Sequence, residues 1–195
     1  YPGFGPSVVS SITDNAGNVY VQVPGGRSVD TGPNGQHGLL VREEQQPWSY
    51  VHNRHAEHAS QGASVIWEFS GIDTTTPLGQ TATLNTQPAT TTPSGAPVTI
   101  TSPNGVIVSA TLMNSSTGIV AGNSFAADST LNGDGYAHLI TSSVGTYQAL
   151  WNDNSTTFNS SSVFFRAAAS GGPLNACDLA ARFGTVDCAD VTTAV

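Results

Sequence analysis

Turn-forming residues interrupt the chain at short intervals, and the segments between them show the two-residue alternation of β-strands. Asn and Asp favour turns because their side chains hydrogen-bond nearby backbone, and Gly favours them because it accepts positive φ. The turn clusters lie at residues 14–18, 31–35, 93–95, 102–105 and 132–135. This spacing predicts an all-β fold, an antiparallel β-sandwich of jelly-roll or immunoglobulin-like topology.

Two segments near the start of the chain are predicted to pair as a hairpin. Val8–Thr13 leads into the turn at residues 14–18, and Val19–Val23 returns as its partner. Pro24-Gly25-Gly26 is expected to end this second strand. Further strands are predicted at Gly38–Arg42, Ser64–Phe69, Val98–Thr101, Val106–Met113, Tyr136–Thr141, Gly145–Leu150 and Ser162–Ala167.

Charged residues make up only 9% of the chain, against about 25% in an average soluble domain. All five basic residues are arginines, and the net charge is −8. The absence of lysine excludes Schiff-base catalysis, P-loop phosphate binding and lysine isopeptide cross-links. The acidic charge argues against nucleic acid and against anionic membranes as partners, because both attract basic surfaces. No apolar segment approaches the ~18 residues of a transmembrane helix, so membrane insertion is not expected.

The two cysteines, Cys177 and Cys188, lie close together in the sequence. An even pair in a Ser/Thr-rich chain predicts a local disulfide in an oxidising compartment, and the alternative is a pair of free thiols in the cytosol. The chain opens at Tyr1 rather than Met, which indicates that a leader has been removed or that the first residues are missing. These features predict a secreted, extracellular protein. Three sequons add candidate N-glycosylation sites: Asn114, Asn154 and Asn159.

Several motifs resemble those of a family of secreted bacterial β-sandwich surface modules. Ser10–Tyr20 matches a V-T-D-x-x-G-N-x-Y hairpin, and Glu68-Phe69-Ser70-Gly71 matches an E-Y-S-G strand end. Asn104–Val108 resembles the aliphatic strand in mid-domain, and Val163–Arg166 resembles the closing strand. The resemblance covers Ser7–Ala168, and it implies a fold and a surface location but no activity.

The chain is predicted to divide into a sandwich domain, residues 1–168, and an appendage, residues 169–195. Ser170-Gly171-Gly172-Pro173 has the composition of a linker between the two. The segment from Asn175 to Val191 then resembles the first half of a dockerin-like calcium repeat. The short C-terminal appendage is therefore expected to be a linker followed by a disulfide-closed half-repeat.

The dockerin resemblance implies a set of calcium ligands in the appendage. Asp178, Asp187 and Asp190 would supply carboxylates at the first and the last two ligand positions of such a loop. Ala180 and Arg182 occupy positions that need oxygen donors. The cysteine pair would close the loop covalently in place of the ion.

Three histidines at three-residue intervals, His52, His55 and His58, form the candidate site for a transition metal such as zinc. On a strand, His55 would face away from the other two, and on a helix the third ring would turn off the face of the first two. Only an irregular loop would gather all three, with Glu57 as a fourth ligand. The alternative is a polar surface or a subunit interface.

No pattern of catalytic residues stands out in the sequence. Glycosidases need two facing carboxylates, and no spacing singles out a pair among Glu43, Glu44, Glu57, Glu68 and Asp73. The Gly-x-Ser-x-Gly nucleophile motif of α/β-hydrolases does not occur. The chain is therefore predicted not to be an enzyme.

Aromatic side chains are the candidates for contact with carbohydrate. Alternation places Trp67 and Phe69 on one strand face, and these residues and Trp151 are predicted to lie in the core. Trp48 and Tyr50 form the pair expected to be exposed, and they are the candidate glycan contacts.

Two functions of different class are expected from these features. The first is an extracellular structural protein, the subunit of a cell-surface filament or layer that self-associates through intersubunit β-strand contacts. The second is a carbohydrate-binding or adhesion module of a larger secreted protein, with polysaccharide as its partner. No cofactor is required by either function.

Overall fold

The computed structural model describes residues 9–14, 20–29, 36–41, 52–56, 65, 67–113, 116–119, 123–130, 133–169 and 175–177. Every regular element in these ranges is a strand, and every strand pair is antiparallel. The prediction of an all-β, antiparallel fold is confirmed. The strands are β1 Val9–Asp14, β2 Val21–Val29, β3 Gln36–Val41, β4 His52–Ala56, β5 Glu68–Ser70, β6 Leu78–Thr90, β7 Val98–Ile100, β8 Gly105–Leu112, β9 Ser116–Ile119, β10 Ala126–Ser129, β11 Gly135–Thr141, β12 Gly145–Tyr147, β13 Trp151–Asp153, β14 Thr156–Arg166 and β15 Asn175–Cys177.

The largest sheet has five strands in the order β10-β11-β8-β14-β6. Its central pairs are long: all of β11 pairs with β8, and β14 pairs with both β8 and β6. The other described strands form the two-stranded pairs β1-β4, β2-β3, β5-β15, β7-β12 and β9-β13. β6 and β10 are therefore the two edges of the main sheet.

Apolar side chains pack on both faces of the five-stranded sheet, an arrangement with which a β-sandwich is compatible. On one face, Ile107 and Phe164 pack with the fully buried Trp151 and with side chains of β7. On the other face, Val108 and Val163 pack with Val23 of β2 and with side chains around β5. The core position predicted for Trp151 is confirmed.

β14 is buried on both of its faces from Phe158 to Phe164. Part of this interior is polar, and Ser162 Oγ donates a hydrogen bond to Ser109 Oγ at 3.0 Å. The Phe164 ring lies over Gly79 of β6 and Gly105 of β8, where a Cβ would collide with it. These two glycines therefore form a notch that the Phe164 ring occupies, and a residue with a Cβ at either position would fill it.

The predicted hairpin between the first two strands is wrong. β1 pairs with β4, and β2 pairs with β3. β2 also continues through Pro24-Gly25-Gly26, the segment expected to end it. The register against β3 shifts between Gln22 and Arg27, and Gly25 has a φ of 68°. A bulge with a glycine at positive φ therefore absorbs the turn-forming residues within the strand.

β6 is the longest strand in the described ranges, with 13 residues, and it was not predicted. Its sequence is rich in Thr and Gln and includes Pro88, so it lacks the aliphatic alternation of a strand. Pro is tolerated at the edge of a sheet because an edge strand pairs on one side only. The short strands β4, β9, β10 and β13 also fall outside the predicted segments.

β15 lies within the segment predicted as a separate appendage, residues 169–195, and it pairs with β5 of the sandwich region. The pairs are Asn175 with Ser70, Ala176 with Phe69, and Cys177 with Glu68. The start of the appendage is thus attached to the sandwich domain through backbone pairing. The rest of the dockerin-like segment lies outside the described residues.

Candidate functional site

A carboxylate, an imidazole and three aromatic side chains meet on one face of the main sheet near its β10 edge. They belong to Trp67, Phe69, Asp128, Tyr136 and His138, which we call the aromatic–acid cluster. Trp67 Nε1 donates to Asp128 Oδ2 at 2.7 Å, and His138 Nδ1 lies 2.7 Å from Asp128 Oδ1. The Trp67 and Tyr136 ring centroids are 6.0 Å apart, and those of Phe69 and His138 are 5.7 Å apart.

Strand alternation and a bulge bring these side chains together. Tyr136 and His138 lie on the same face of β11, since they are two residues apart, and Ala137 faces the opposite core. Asp128 lies where the β10–β11 register shifts between Ala127 and Ser129. A bulge redirects the side chain at the irregular position, and here the carboxylate reaches both rings.

The cluster fixes the segment before and within β5 to the face of the sheet. The side chains of His138 and Asp128 are only 17% and 12% exposed, so their contact is shielded from bulk water. Hydrogen bonds to a carboxylate contribute about 1.5–3 kcal/mol each. Asp128 bonds Trp67 with one oxygen and His138 with the other, so Trp67 is held by contacts that do not involve β15.

An aspartate against Nδ1 is also the arrangement that orients a catalytic histidine. Such a histidine acts on a hydroxyl or thiol within hydrogen-bonding distance of its other ring nitrogen. In the ranges that the structure covers, no hydroxyl or thiol is hydrogen-bonded to the His138 ring. The described contacts of Asp128 join Trp67 to β10 and β11, which anchors the start of β5 to the main sheet.

Asp134, in the turn before β11, is the carboxylate whose pKa the fold raises most clearly. Burial raises the pKa of Asp134 to about 6, because desolvation disfavours the charged form. Hydrogen bonds from Met113 N at 2.9 Å and from the Tyr136 hydroxyl at 3.5 Å oppose this rise without cancelling it. Asp134 is therefore a structural carboxylate that destabilises the folded chain when it is ionised.

We expect the free energy of unfolding of the natural chain to rise on mild acidification as Asp134 becomes protonated. Asp134→Asn should remove this contribution. Between the unfolded value of 3.8 and about 6, the folded state binds the extra proton, so stability falls as pH rises through this window. The variant should be more stable than the natural chain at pH 7 by roughly 1–2 kcal/mol, with the difference vanishing near pH 4. Urea unfolding at both pH values measures it.

Asp73→Asn is the matched control for this prediction. Asp73 is partly exposed, and backbone hydrogen bonds from Thr76 and Thr75 lower its pKa. Its contribution is therefore present above the unfolded pKa and is lost as pH falls, which is the opposite sign. A variant at Asp134 that kept the pH dependence of the natural chain would contradict the burial of this carboxylate.

The structure places some of the metal ligands predicted from the sequence. His52 and His55 lie in β4, opposite Asp14 and Ser11 of β1. Their backbone is therefore extended, and an extended strand is one of the conformations in which the three histidines are not expected to bind one metal ion together. Within the part of the chain that the structure describes, no group of three or more His, Cys, Asp or Glu side chains is placed to hold a metal ion. His58, Asp178, Asp187 and Asp190 lie outside that part.

The candidate disulfide and glycan residues are placed only in part. Cys177 lies in β15, and its predicted partner Cys188 lies outside the described residues, as do Asn114, Trp48 and Tyr50. Asn154 is exposed and stays a candidate for glycosylation. Asn159 is fully buried in β14, so the folded chain leaves no room for a glycan on its side chain.

No sequence motif groups the five residues of the aromatic–acid cluster. Trp67 and Phe69 were assigned to a core face, and both do pack against the second face of the sheet. Asp128 and His138 were not singled out, because their meeting with Trp67 depends on a contact between residues 61 positions apart. The two-residue spacing of Tyr136 and His138 was the one local signal available.

Comparisons with known proteins identify no relative of this chain. Across the described ranges, the structure contains no helix long and apolar enough to span a membrane. No family model, no curated protein and no solved structure matches the chain.

Proposed function

We propose that this chain is an extracellular structural protein, a subunit of a surface filament or layer whose copies associate through β-strand contacts. The observation that carries the proposal is β6, a long edge strand without a charged side chain. Among the described strands it has one partner, β14. An edge strand presents backbone N–H and C=O groups on its outer side that can pair with another chain.

The two edges of the main sheet differ in the features that protect an edge from association. β10 has four residues, a register shift and Asp128, all of which discourage further pairing. β6 has 13 residues and no charged side chain, and its register shifts and Pro88 lie toward its two ends. From Thr81 to Leu84 its register against β14 is regular, so this part offers a straight edge.

Both faces of β6 make contacts with other parts of the chain, which favours an added strand that extends the sheet over one that stacks on it. On one face, Ala82 and Leu84 pack against the core. On the other, Asn85 Oδ1 accepts a hydrogen bond from Val29 N of β2 at 3.1 Å, and Gly25 of β2 closely approaches Thr81. Among the described strands, β6 is unpaired in the hydrogen-bonding direction on its outer side, and a partner strand would add there.

The composition supports assembly outside the cell. With 9% charged residues, the surface carries few of the ionic groups that keep monomers apart at short range. The net charge of −8 still gives a long-range repulsion between copies, which salt screens. Assembly should therefore strengthen as ionic strength rises.

Thr83→Lys is expected to weaken assembly about tenfold in the concentration required, since a charge at the strand contact costs on the order of 1.4 kcal/mol. Thr83 is exposed on β6 and lies in its regular stretch. Ser142→Lys is the matched control, because it replaces an exposed hydroxyl in the turn between β11 and β12 with the same charge. Sedimentation velocity and negative-stain electron microscopy measure the assembled fraction.

Two results would count against the proposal. The first is natural protein that stays monodisperse and monomeric at millimolar concentration and raised ionic strength. The second is an equal loss of assembly in the Thr83 and Ser142 variants, because that would show a general charge effect rather than a contact at β6.

A further inference from the structure

β15 continues a backbone ladder that begins at the end of β14. Asp73 N donates to Arg166 O, and Ala168 N donates to Gly71 O, each at 2.9 Å. The next pair of the same antiparallel ladder is Asn175 with Ser70. Residues 169–174 thus connect Ala168, which bonds Gly71, to Asn175, which pairs with Ser70. Gly71 and Ser70 are neighbours in the chain.

The strand that receives β15 is held in place without it. Trp67 is bonded to Asp128, and Phe69 packs edge-on against the His138 ring. Both residues also pack on the second face of the main sheet. The edge of β5 therefore keeps its position when β15 leaves, which is what a binding site for an extended segment requires.

Within the described residues, β15 is joined to β5 by a short ladder. Three residue pairs join β15 to β5, and a backbone hydrogen bond contributes a net of about 1 kcal/mol. Opening of such a short edge pair is therefore among the least costly local motions of the fold. The preceding segment is the one that the sequence predicts as a linker, Ser170-Gly171-Gly172-Pro173.

We propose that the β5 edge of one copy accepts β15 of a second copy, in the register seen within the chain. This inference rests on the proposed assembly through strand contacts and names a donor and an acceptor for it. A second copy is the partner because its β15 makes the same pairs with β5 as the chain's own strand, so no new complementarity is needed. Residues 169–174, when extended, can span roughly 20 Å between copies.

The protein concentration determines whether β15 pairs with β5 of its own copy or with β5 of a second copy. Within one copy, β15 competes with a local effective concentration in the millimolar range. Exchange between copies should therefore grow as subunits are crowded, as they are in an array. Reciprocal exchange closes a dimer, and exchange in series builds an open chain of subunits.

Photo-cross-linking in a mixture of isotopically heavy and light protein tests the exchange. p-Benzoylphenylalanine replaces Ala176, which pairs with Phe69, in the 195-residue chain, with Asn175 as the second labelling position if the first prevents folding. Equal amounts of heavy and light protein are mixed dilute and then concentrated before irradiation. Complete exchange predicts that about half of the cross-linked pairs join heavy to light peptides. Cross-links from the same probe at Ala169, next to the end of β14, should join peptides of a single copy.

The outcomes separate this inference from the proposed function. Assembly with cross-links confined to single copies overturns the strand exchange and leaves assembly through β6 standing. Mixed cross-links in closed dimers without larger assemblies support the exchange and overturn the filament. Mixed cross-links that are as frequent at Ala169 as at Ala176 overturn the exchange, since they report collision alone.

Discussion

Trp151→Ala is expected to lower the free energy of unfolding by about 3–5 kcal/mol, the range for truncating a large buried aromatic residue. Trp151 is fully buried in the core cluster on one face of the main sheet. Its indole packs over Gly135, where a Cβ would collide with the ring. Trp151 Nε1 also donates to Thr111 Oγ1 at 3.2 Å, so the substitution removes both packing and a buried hydrogen bond. Urea-induced unfolding followed by circular dichroism measures the loss.

Trp151→Phe separates the two contributions to this loss. The phenyl ring keeps much of the buried volume but has no N–H, so Thr111 loses its partner. We expect this variant to cost about 1–3 kcal/mol, clearly less than the alanine variant. A Trp151→Ala protein within 1 kcal/mol of the natural chain would contradict the central position of this side chain in the core.

Gly105→Ala is expected to destabilise the chain by about 3 kcal/mol, at the upper end of the usual cost of overpacking. A methyl group on Gly105 would overlap both the Phe164 ring and the backbone carbonyl of Phe165. The ring could turn away, but the carbonyl is held by the β8–β14 ladder, in which Gly105 pairs with Arg166. The strain therefore falls on the two central strands of the main sheet, where β8 begins and β14 ends.

Ser142→Thr is the matched control for Gly105→Ala, since it also adds one methyl group. Ser142 is exposed in the turn between β11 and β12, and the change should alter stability by less than about 0.5 kcal/mol. Thermal and urea unfolding of both variants measure the difference. Equal stabilities would show that the two central strands can separate enough to admit a side chain.

Local pattern predicted the strands whose own residues carry the signal. β8 and β11 were placed because aliphatic and aromatic residues mark them against their flanking turns. β6 was missed because its Thr and Gln residues resemble a loop, and its strand state comes from pairing with β14, far along the chain. The hairpin was wrong for a related reason, since a turn signal does not specify which strands pair.

The candidate site was less accessible to prediction than the fold. Trp67 was recognised as a packing residue, but the bulge that turns Asp128 toward it arises from the pairing of β10 with β11. The raised pKa of Asp134 likewise comes from burial by distant segments, which no spacing in the sequence encodes. Histidine and cysteine side chains mark candidate sites in a sequence, whereas the edges β5 and β6 arise from backbone groups that every sequence carries.

The notch beneath Phe164 bears on how the central strand finds its alignment during folding. Because β14 is enclosed on both sides, sliding it past its neighbours would not expose an obviously wrong face to water, and simple alternation leaves its alignment weakly determined. The Phe164 ring fits only where the two flanking strands both lack side chains, at Gly79 and Gly105. A displaced β14 would drive that ring into neighbouring Cβ atoms, so misaligned sheets are rejected by steric exclusion rather than by hydrophobic sorting.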